Sequence, residues 1–389
     1  MDGHSGAVPS SPSLFTVARQ WGRIGCVGFG GPPTHISLLR ELCVTTRGWL
    51  SASEFEDGIA ACNLLPGPAS TQLAILCAWR VAGAGGAVVG GLAFIVPGLV
   101  AILALATVFL AASPPDWVLG AAAGAGAAVA AVAVSAGVGL LPASWRRFSE
   151  PHWRWIAYAV LGGTAAASVG PWLVVVLLGC GCLEMGWRTI DGGRHLTSQL
   201  GPFALAGVVP ATGGLVALTW VAIKVGALSY GGGFVIIPMM QSDAVHRYHW
   251  MTNSQFLSAV ALGQITPGPV VQTVAVVGYA AAGIAGGLLA AAVAFSPSFL
   301  FVLAGARHFD ALRHNSRVRA FLDGAGPAAI GAIIGAAIPL ALALQETWQL
   351  GVLAAAAVSL FALRRGAVLT LLLAGAIGLV AALLGAPLP

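Results

Sequence analysis

Residues 63–72 read Asn63-Leu64-Leu65-Pro66-Gly67-Pro68-Ala69-Ser70-Thr71-Gln72, and residues 264–273 read Gln264-Ile265-Thr266-Pro267-Gly268-Pro269-Val270-Val271-Gln272-Thr273. The two Pro-Gly-Pro segments stand 201 positions apart, and the same shift aligns the chain with itself without a gap from about Arg23 to Gly86. Arg23 falls on Lys224, Gly25 on Gly226, Phe29-Gly30-Gly31 on Tyr230-Gly231-Gly232, Trp49 on Trp250, and Ser53-x-Phe55 on Ser254-x-Phe256. At a shift of 200, Gly124-Ala125-Gly126 meets Gly324-Ala325-Gly326. Glycine and proline agree easily in a chain that holds 53 of one and 22 of the other, but Trp, Phe and a basic residue do not agree in one register by composition alone. The reading is an internal duplication, with a first repeat over 1–190 and a second over 191–389.

Working outward, hydrophobic residues fill 58% of the 389 positions and charged residues only 8%, which a water-soluble domain does not need. Apolar segments recur near 14–39, 57–80, 83–112, 117–142 and 155–183, then near 203–240, 257–280, 283–303, 325–345, 348–363 and 366–386. Several are long enough to cross a bilayer. The expected fold is an all-α polytopic membrane protein, and its expected place is the bacterial inner membrane. The polar start, Met1 to Pro12, lacks a basic region feeding an apolar core, so no cleaved signal peptide is expected.

Short loops rich in Lys and Arg stay cytoplasmic. After its third apolar stretch the first half carries Ser113-Pro114-Pro115-Asp116, without a base, where the second half carries Arg307, Arg313, Arg317 and Arg319. One loop later the pattern reverses: Arg146, Arg147 and Arg154 stand against Glu346. Equivalent loops are therefore expected on opposite faces, which makes the duplication inverted. Transporters of that architecture hold substrate near the midplane, between the halves, on broken or re-entrant helices.

Several functions are excluded or weakened by composition. The single lysine, Lys224, cannot end a Walker A loop, so ATP-driven transport by this chain alone is excluded. A net charge of +5 lies in short topogenic loops and does not read as a nucleic-acid surface. The six cysteines, Cys26, Cys43, Cys62, Cys77, Cys180 and Cys182, show no metal spacing beyond a bare Cys-x-Cys and read as packing residues. No metal or other cofactor is expected.

Two kinds of segment could hold an anion. Consecutive glycines and the prolines after them, in Gly30-Gly31-Pro32-Pro33-Thr34-His35 and its counterpart Tyr230-Gly231-Gly232-Gly233, will not sustain a helix. Inside a membrane such a break is tolerated where it is buried in protein or lines a polar cavity. The Pro-Gly-Pro segments read as N-termini of half-helices, whose free N–H groups and dipole favour negative charge. The candidate binding residues are accordingly Arg23, Gly30, Gly31, His35, Asn63, Pro66, Gly67, Ser70, Thr71 and Gln72, with Lys224, Tyr230, Gly231, Gly232, Gln264, Thr266, Gly268 and Gln272. Gly67 and Gly268 are read as openings through which a ligand approaches the backbone, so alanine there is expected to leave stability little changed. Lys224 lies inside an apolar run, where a cation costs roughly 3 kcal/mol and marks a functional site. No Asp or Glu is expected inside a span to pair with Lys224 or Arg23, which leaves a deficit shaped for a dianion. Only His35 offers itself for a proton relay.

At these residues the sequence resembles the chromate ion transporter family in its long, two-domain form. The resemblance rests on Phe29-Gly30-Gly31-Pro32 with His35, Arg47-Gly48-Trp49-Leu50, and Leu65-Pro66-Gly67-Pro68-Ala69-Ser70-Thr71-Gln72-Leu73, followed by Gly91-Leu92-Ala93-Phe94 and Pro97-Gly98. In the second half it rests on Tyr230-Gly231-Gly232-Gly233, Ile237-Pro238, Trp250 and Gln264-x-Thr266-Pro267-Gly268-Pro269-Val270. It departs at His246-Arg247-Tyr248-His249, which is more aromatic than the family's pattern before the tryptophan. The resemblance implies a secondary transporter that exports chromate, with sulfate as its structural mimic, and so confers chromate resistance. The residues by themselves reach only an anion-friendly inverted repeat in a lipid bilayer, with which a homodimer is compatible. Two rivals stay open at this point: an oxyanion channel with the same midplane site, and an intramembrane reductase, which needs a redox centre that cysteines confined to one half do not supply.

Overall fold

The computed structural model describes residues 12–63, 67–111, 113–148, 151–168, 173–191, 214–229, 233–305 and 315–389. Among them the chain is helical throughout, without a strand. Of the residues singled out above, Pro66, Tyr230, Gly231, Gly232, Arg307 and Arg313 lie outside the described residues.

The helices are α1 (Leu14–Val27), α2 (Pro32–Arg40), α3 (Ala52–Cys62), α4 (Ala69–Phe109), α5 (Asp116–Arg147), α6 (Trp153–Ser168) and α7 (Leu173–Asp191). There follow α8 (Leu215–Leu228), α9 (Ile236–Gln241), α10 (Asn253–Ile265), α11 (Thr273–Gly305), α12 (Ser316–Gly335), α13 (Ala337–Leu342), α14 (Thr347–Ala357) and α15 (Ala367–Leu383). Local chemistry recurs at the sequence shift. Ser51 and Thr252 both open their helices with a capping box, closed by Glu54 and Gln255. Both α2 and α9 run on into a π-helical turn, Glu41–Thr46 and Ser242–Arg247.

The longest helix, α4, is not one rod. At 1.5 Å per residue it would reach about 60 Å, twice the hydrocarbon thickness. Ala82 and Gly83 leave the helical region, with Gly83 at φ +63 and ψ −158. Beyond them the chain doubles back, so that Gly86 lies against the Ala78 carbonyl and Gly91 against Ile75. Ala282 and Gly283 repeat the turn inside α11, where Gly286 and Gly278 face each other's carbonyls. Both turns fall at the short gaps between the apolar segments 57–80 and 83–112 and between 257–280 and 283–303.

The arm 69–81 is short of a crossing, at about 20 Å. It runs back along α3: Gly58 faces Leu73 and Leu76, and Arg80 donates to the Glu54 carbonyl. Helix α3 and this arm therefore form a re-entrant hairpin with Gly67 and Pro68 at its tip. Four helical stretches among the described residues are long and apolar enough to cross a membrane: Ala69–Phe109, Asp116–Arg147, Val270–Gly305 and Ser316–Leu342. Exposed Trp117, Trp145, Trp153 and Trp187 sit near helix ends, where indole rings anchor at a lipid–water boundary.

Packing crosses between the halves. Helix α5 packs on α14 and α15, whereas α12 packs on α6 and α7. Small residues make the seams, as expected where lipid offers no hydrophobic drive between helices. A Cβ on Gly331 would stand 1.8 Å from the Ala159 carbonyl, and one on Gly378 2.1 Å from that of Gly120.

Buried charge also lies at the edges of the apolar segments, apart from Lys224 and Arg23. Glu184, fully buried in α7, takes Arg188 at 2.8 Å, Arg154 at 3.4 Å and the Tyr158 hydroxyl at 3.1 Å. Arg188 also reaches Asp323 of α12 at 2.9 Å, so the network ties the α6–α7 hairpin to the other half. These acids sit in short gaps of the hydropathy pattern, but the helices continue through them and turn them inward.

Candidate functional site

The first glycine break follows α1. Gly28 closes the helix, Gly30 and Gly31 adopt φ +95 and +76, and Pro32 starts α2. Only glycine tolerates those two conformations without strain. His35, fully buried, spans the break: its Nε2–H donates to the Gly28 carbonyl at 2.9 Å, and its Nδ1 lies 3.3 Å from Ser70 Oγ. A neutral ring bound in this way accepts from the Ser70 hydroxyl. Phe94 presents an edge-on ring 5.0 Å away. His35 thus holds the break of α1–α2 to the first turn of α4.

The tip of the second half closes the same junction. Gly268 N–H donates to the Gly28 carbonyl at 3.0 Å, and Val270 lies beside Gly31. Gln272, fully buried, donates from Nε2 to the Ile95 carbonyl of α4 at 2.8 Å. Gly98 is what lets it in, because a Cβ there would stand 2.0 Å from the Pro267 carbonyl and 2.6 Å from Gln272 Oε1. The reciprocal contact exists: a Cβ on Gly67 would lie 3.3 Å from the Gly226 carbonyl of α8. Each Pro-Gly-Pro tip therefore sits at the broken helix of the other half.

Buried polar groups stand on the tips and breaks of both halves. Thr71 Oγ1, Ser229 Oγ, Gln264 Nε2 and Gln272 Oε1 are buried and make no hydrogen bond among the described residues. A buried polar group left so costs about 1–3 kcal/mol, which an incoming ligand with complementary groups would recover. Thr266, also buried, spends its hydroxyl on the Leu262 carbonyl at 2.8 Å. Asn63, exposed at the end of α3, faces instead a cavity of about 140 Å³ shared with Gly67, Ser144 and Arg147.

The two cations part company. Lys224 is not uncompensated, because it forms an ion pair with the buried Asp243. Asp243 sits in the π-helical turn after α9, which folds it back against α8. The hydrophobic run ends at Met240, so hydropathy alone reads Asp243 as a loop residue. At the shift of 201 its counterpart is Leu42, so the first half has no such acid, and Arg23 lies exposed on the outer side of α1. The expectation for Gly67→Ala and Gly268→Ala also changes. The two glycines stand at φ +117 and +97, so alanine strains the backbone whatever a ligand does. Sequence reasoning missed Asp243 as the partner of Lys224, and Ser144 and Arg147 as neighbours of Asn63 and Gly67.

A family model described as Chromate transporter matches residues 15–185 and 216–379. The chain is 32% identical over 354 residues to a chromate transport protein of Cupriavidus metallidurans, covering 87% of this chain and 85% of that one. It is 29% identical over 366 residues to a chromate transport protein of Pseudomonas aeruginosa, covering 89% and 85%. An uncharacterized transporter of Methanocaldococcus jannaschii shares 26% over 362 residues, covering 88% and 87%. No solved structure matches the chain. With a family model spanning both halves, and relatives of nearly equal length, the chain belongs to the chromate transporter family, whose members are transport proteins and not enzymes.

Proposed function

We propose that this chain is a secondary transporter that exports chromate from the cytoplasm across the inner membrane, with sulfate-like oxyanions as competitors, and so confers chromate resistance. The repeats 1–190 and 191–389 are inverted, and the oxyanion binds where each Pro-Gly-Pro tip meets the broken helix of the other half. One observation supports this placement: the Gly268–Gly28 hydrogen bond joins the two halves, and Thr71, Ser229, Gln264 and Gln272 on the tips and breaks each keep a buried polar atom without a hydrogen bond among the described residues. Lys224 supplies charge, and a dianion competes with Asp243 for it. A symmetric crossing of two re-entrant tips favours alternating access over a fixed channel, since either tip can withdraw from its partner break.

Uptake of labelled chromate into inverted membrane vesicles tests the reading. Chromate is expected to accumulate above its outside concentration under an imposed ion gradient, to leak out on adding ionophore, and to be slowed by sulfate. Flux that never runs uphill makes the protein a channel. Inversion has its own test: a reporter fused near Arg313 should register cytoplasm and one near Asp116 the opposite side, and the same side for both refutes it.

A further inference from the structure

Beside the crossing lies the cavity of about 140 Å³ that reaches Gly67 at the tip of the first re-entrant hairpin. Its other walls come from both halves: Asn63 at the end of α3, Ser144 and Arg147 in the last turn of α5, and small or apolar residues of α12 such as Gly326 and Ala329. The polar groups that line it can all donate. Asn63 offers an amide and Arg147 a guanidinium. Ser144 Oγ already accepts from the Trp155 indole at 3.0 Å, which leaves its own proton to give. Among the described residues no carboxylate lines the cavity. Asp323, close enough to feel the Arg147 charge, is engaged by Arg188 at 2.9 Å. Arg147 forms no ion pair within 4.0 Å among the described residues, whereas its neighbour Arg146 spends Nε on the Pro142 carbonyl at 3.1 Å.

We infer that this cavity is a loading site for a tetrahedral oxyanion, with Arg147 as the residue that selects for charge before the anion reaches the crossing. The inference rests on the function proposed above and deepens it. The Arg146-Arg147 end of α5 belongs to a loop that is cytoplasmic on the proposed orientation, so the cavity faces the compartment from which an exporter loads. Donors with no acceptor carboxylate beside them among the described residues suit an anion, and the exposed Arg147 guanidinium offers it a charge-assisted hydrogen bond. A phospholipid headgroup offers the same chemistry as a free oxyanion, and the test must separate them.

The experiment uses the full chain in inverted vesicles, with exposed Cys26 and half-buried Cys182 changed to serine, Cys62 of the cavity wall changed to alanine, and Ala143→Cys as the probe on that wall. Sulfate, which does not oxidise thiols, is expected to slow labelling of that cysteine by an impermeant maleimide, and to lose this effect when Arg147→Gln is added. In transport, Arg147→Gln should raise KM for chromate about tenfold with Vmax kept, the loss of one charge-assisted hydrogen bond. Arg147→Lys should recover part of it, and Arg146→Gln, which removes an equal topogenic charge, should leave KM unchanged. Chromate transport with an unaltered KM in Arg147→Gln and no protection by sulfate overturns the loading site while the proposed function stands. A chain that carries no chromate refutes the function, and sulfate protection would still register the cavity as an oxyanion site. Protection by phosphatidylglycerol vesicles alone, absent in phosphatidylcholine, assigns the cavity to a lipid headgroup and overturns the inference.

Discussion

Lys224→Gln is expected to abolish chromate transport and also to destabilise the protein, and the two effects separate in a double variant. Removing the cation leaves Asp243, whose side chain is 1% exposed, as a buried charge without its partner. Breaking a buried pair from one side costs about 3–5 kcal/mol, much of it the stranded charge. Adding Asp243→Asn removes that charge. Lys224→Gln with Asp243→Asn should therefore regain the protein level and Tm in detergent that the single variant lacks, yet still fail to accumulate chromate in vesicles. Asp243→Asn alone keeps the cation and should keep chromate binding. Transport by the double variant would reduce Lys224 and Asp243 to a structural pair and remove Lys224 from the site.

The second large effect is expected at Glu184. Its carboxylate holds Arg154, whose side chain is 6% exposed, and Arg188 together. Glu184→Gln keeps the shape and removes the only charge facing Arg154 among the described residues. The expected cost is about 3–5 kcal/mol, read as a large drop in Tm and in membrane protein level. Tyr158→Phe, which deletes one hydrogen bond to the same carboxylate, should cost only about 1 kcal/mol. The network ties α7 to α12, so the Glu184 loss should also loosen the α12 wall of the cavity and raise labelling of Ala143→Cys. A wild-type Tm for Glu184→Gln would mean that water reaches Arg154 and that the network is not dry.

The sequence by itself determined the class and the places where the chain breaks. Hydropathy fixes helices in lipid, because each backbone group there must bond within its own helix. Proline and glycine fix the breaks, because one lacks the N–H and the other alone accepts positive φ: Gly30, Gly31, Gly67 and Gly268 all proved to need it. Register fixed the recurrence, since Trp49 and Trp250 or Ser51 and Thr252 match locally without reference to packing. The family was legible for the same reason, its motifs being contiguous.

What the tertiary structure decided is which residues meet. Asp243 follows Lys224 by 19 residues, and no local rule states that a π-helical turn will carry its carboxylate back onto α8. Arg147 and Asn63 are far apart in the chain and share a cavity because α5 and α3 end at the same level. Gly28 and Gly268 join opposite halves through one carbonyl, and Glu184 finds Arg154 across a hairpin. Buried charge is placed by pairing, not by hydropathy, because the cost of an ion in a dry interior falls only when a partner or a ligand stands beside it. Such partners are chosen by the packing of helices distant in sequence, which composition and spacing do not encode.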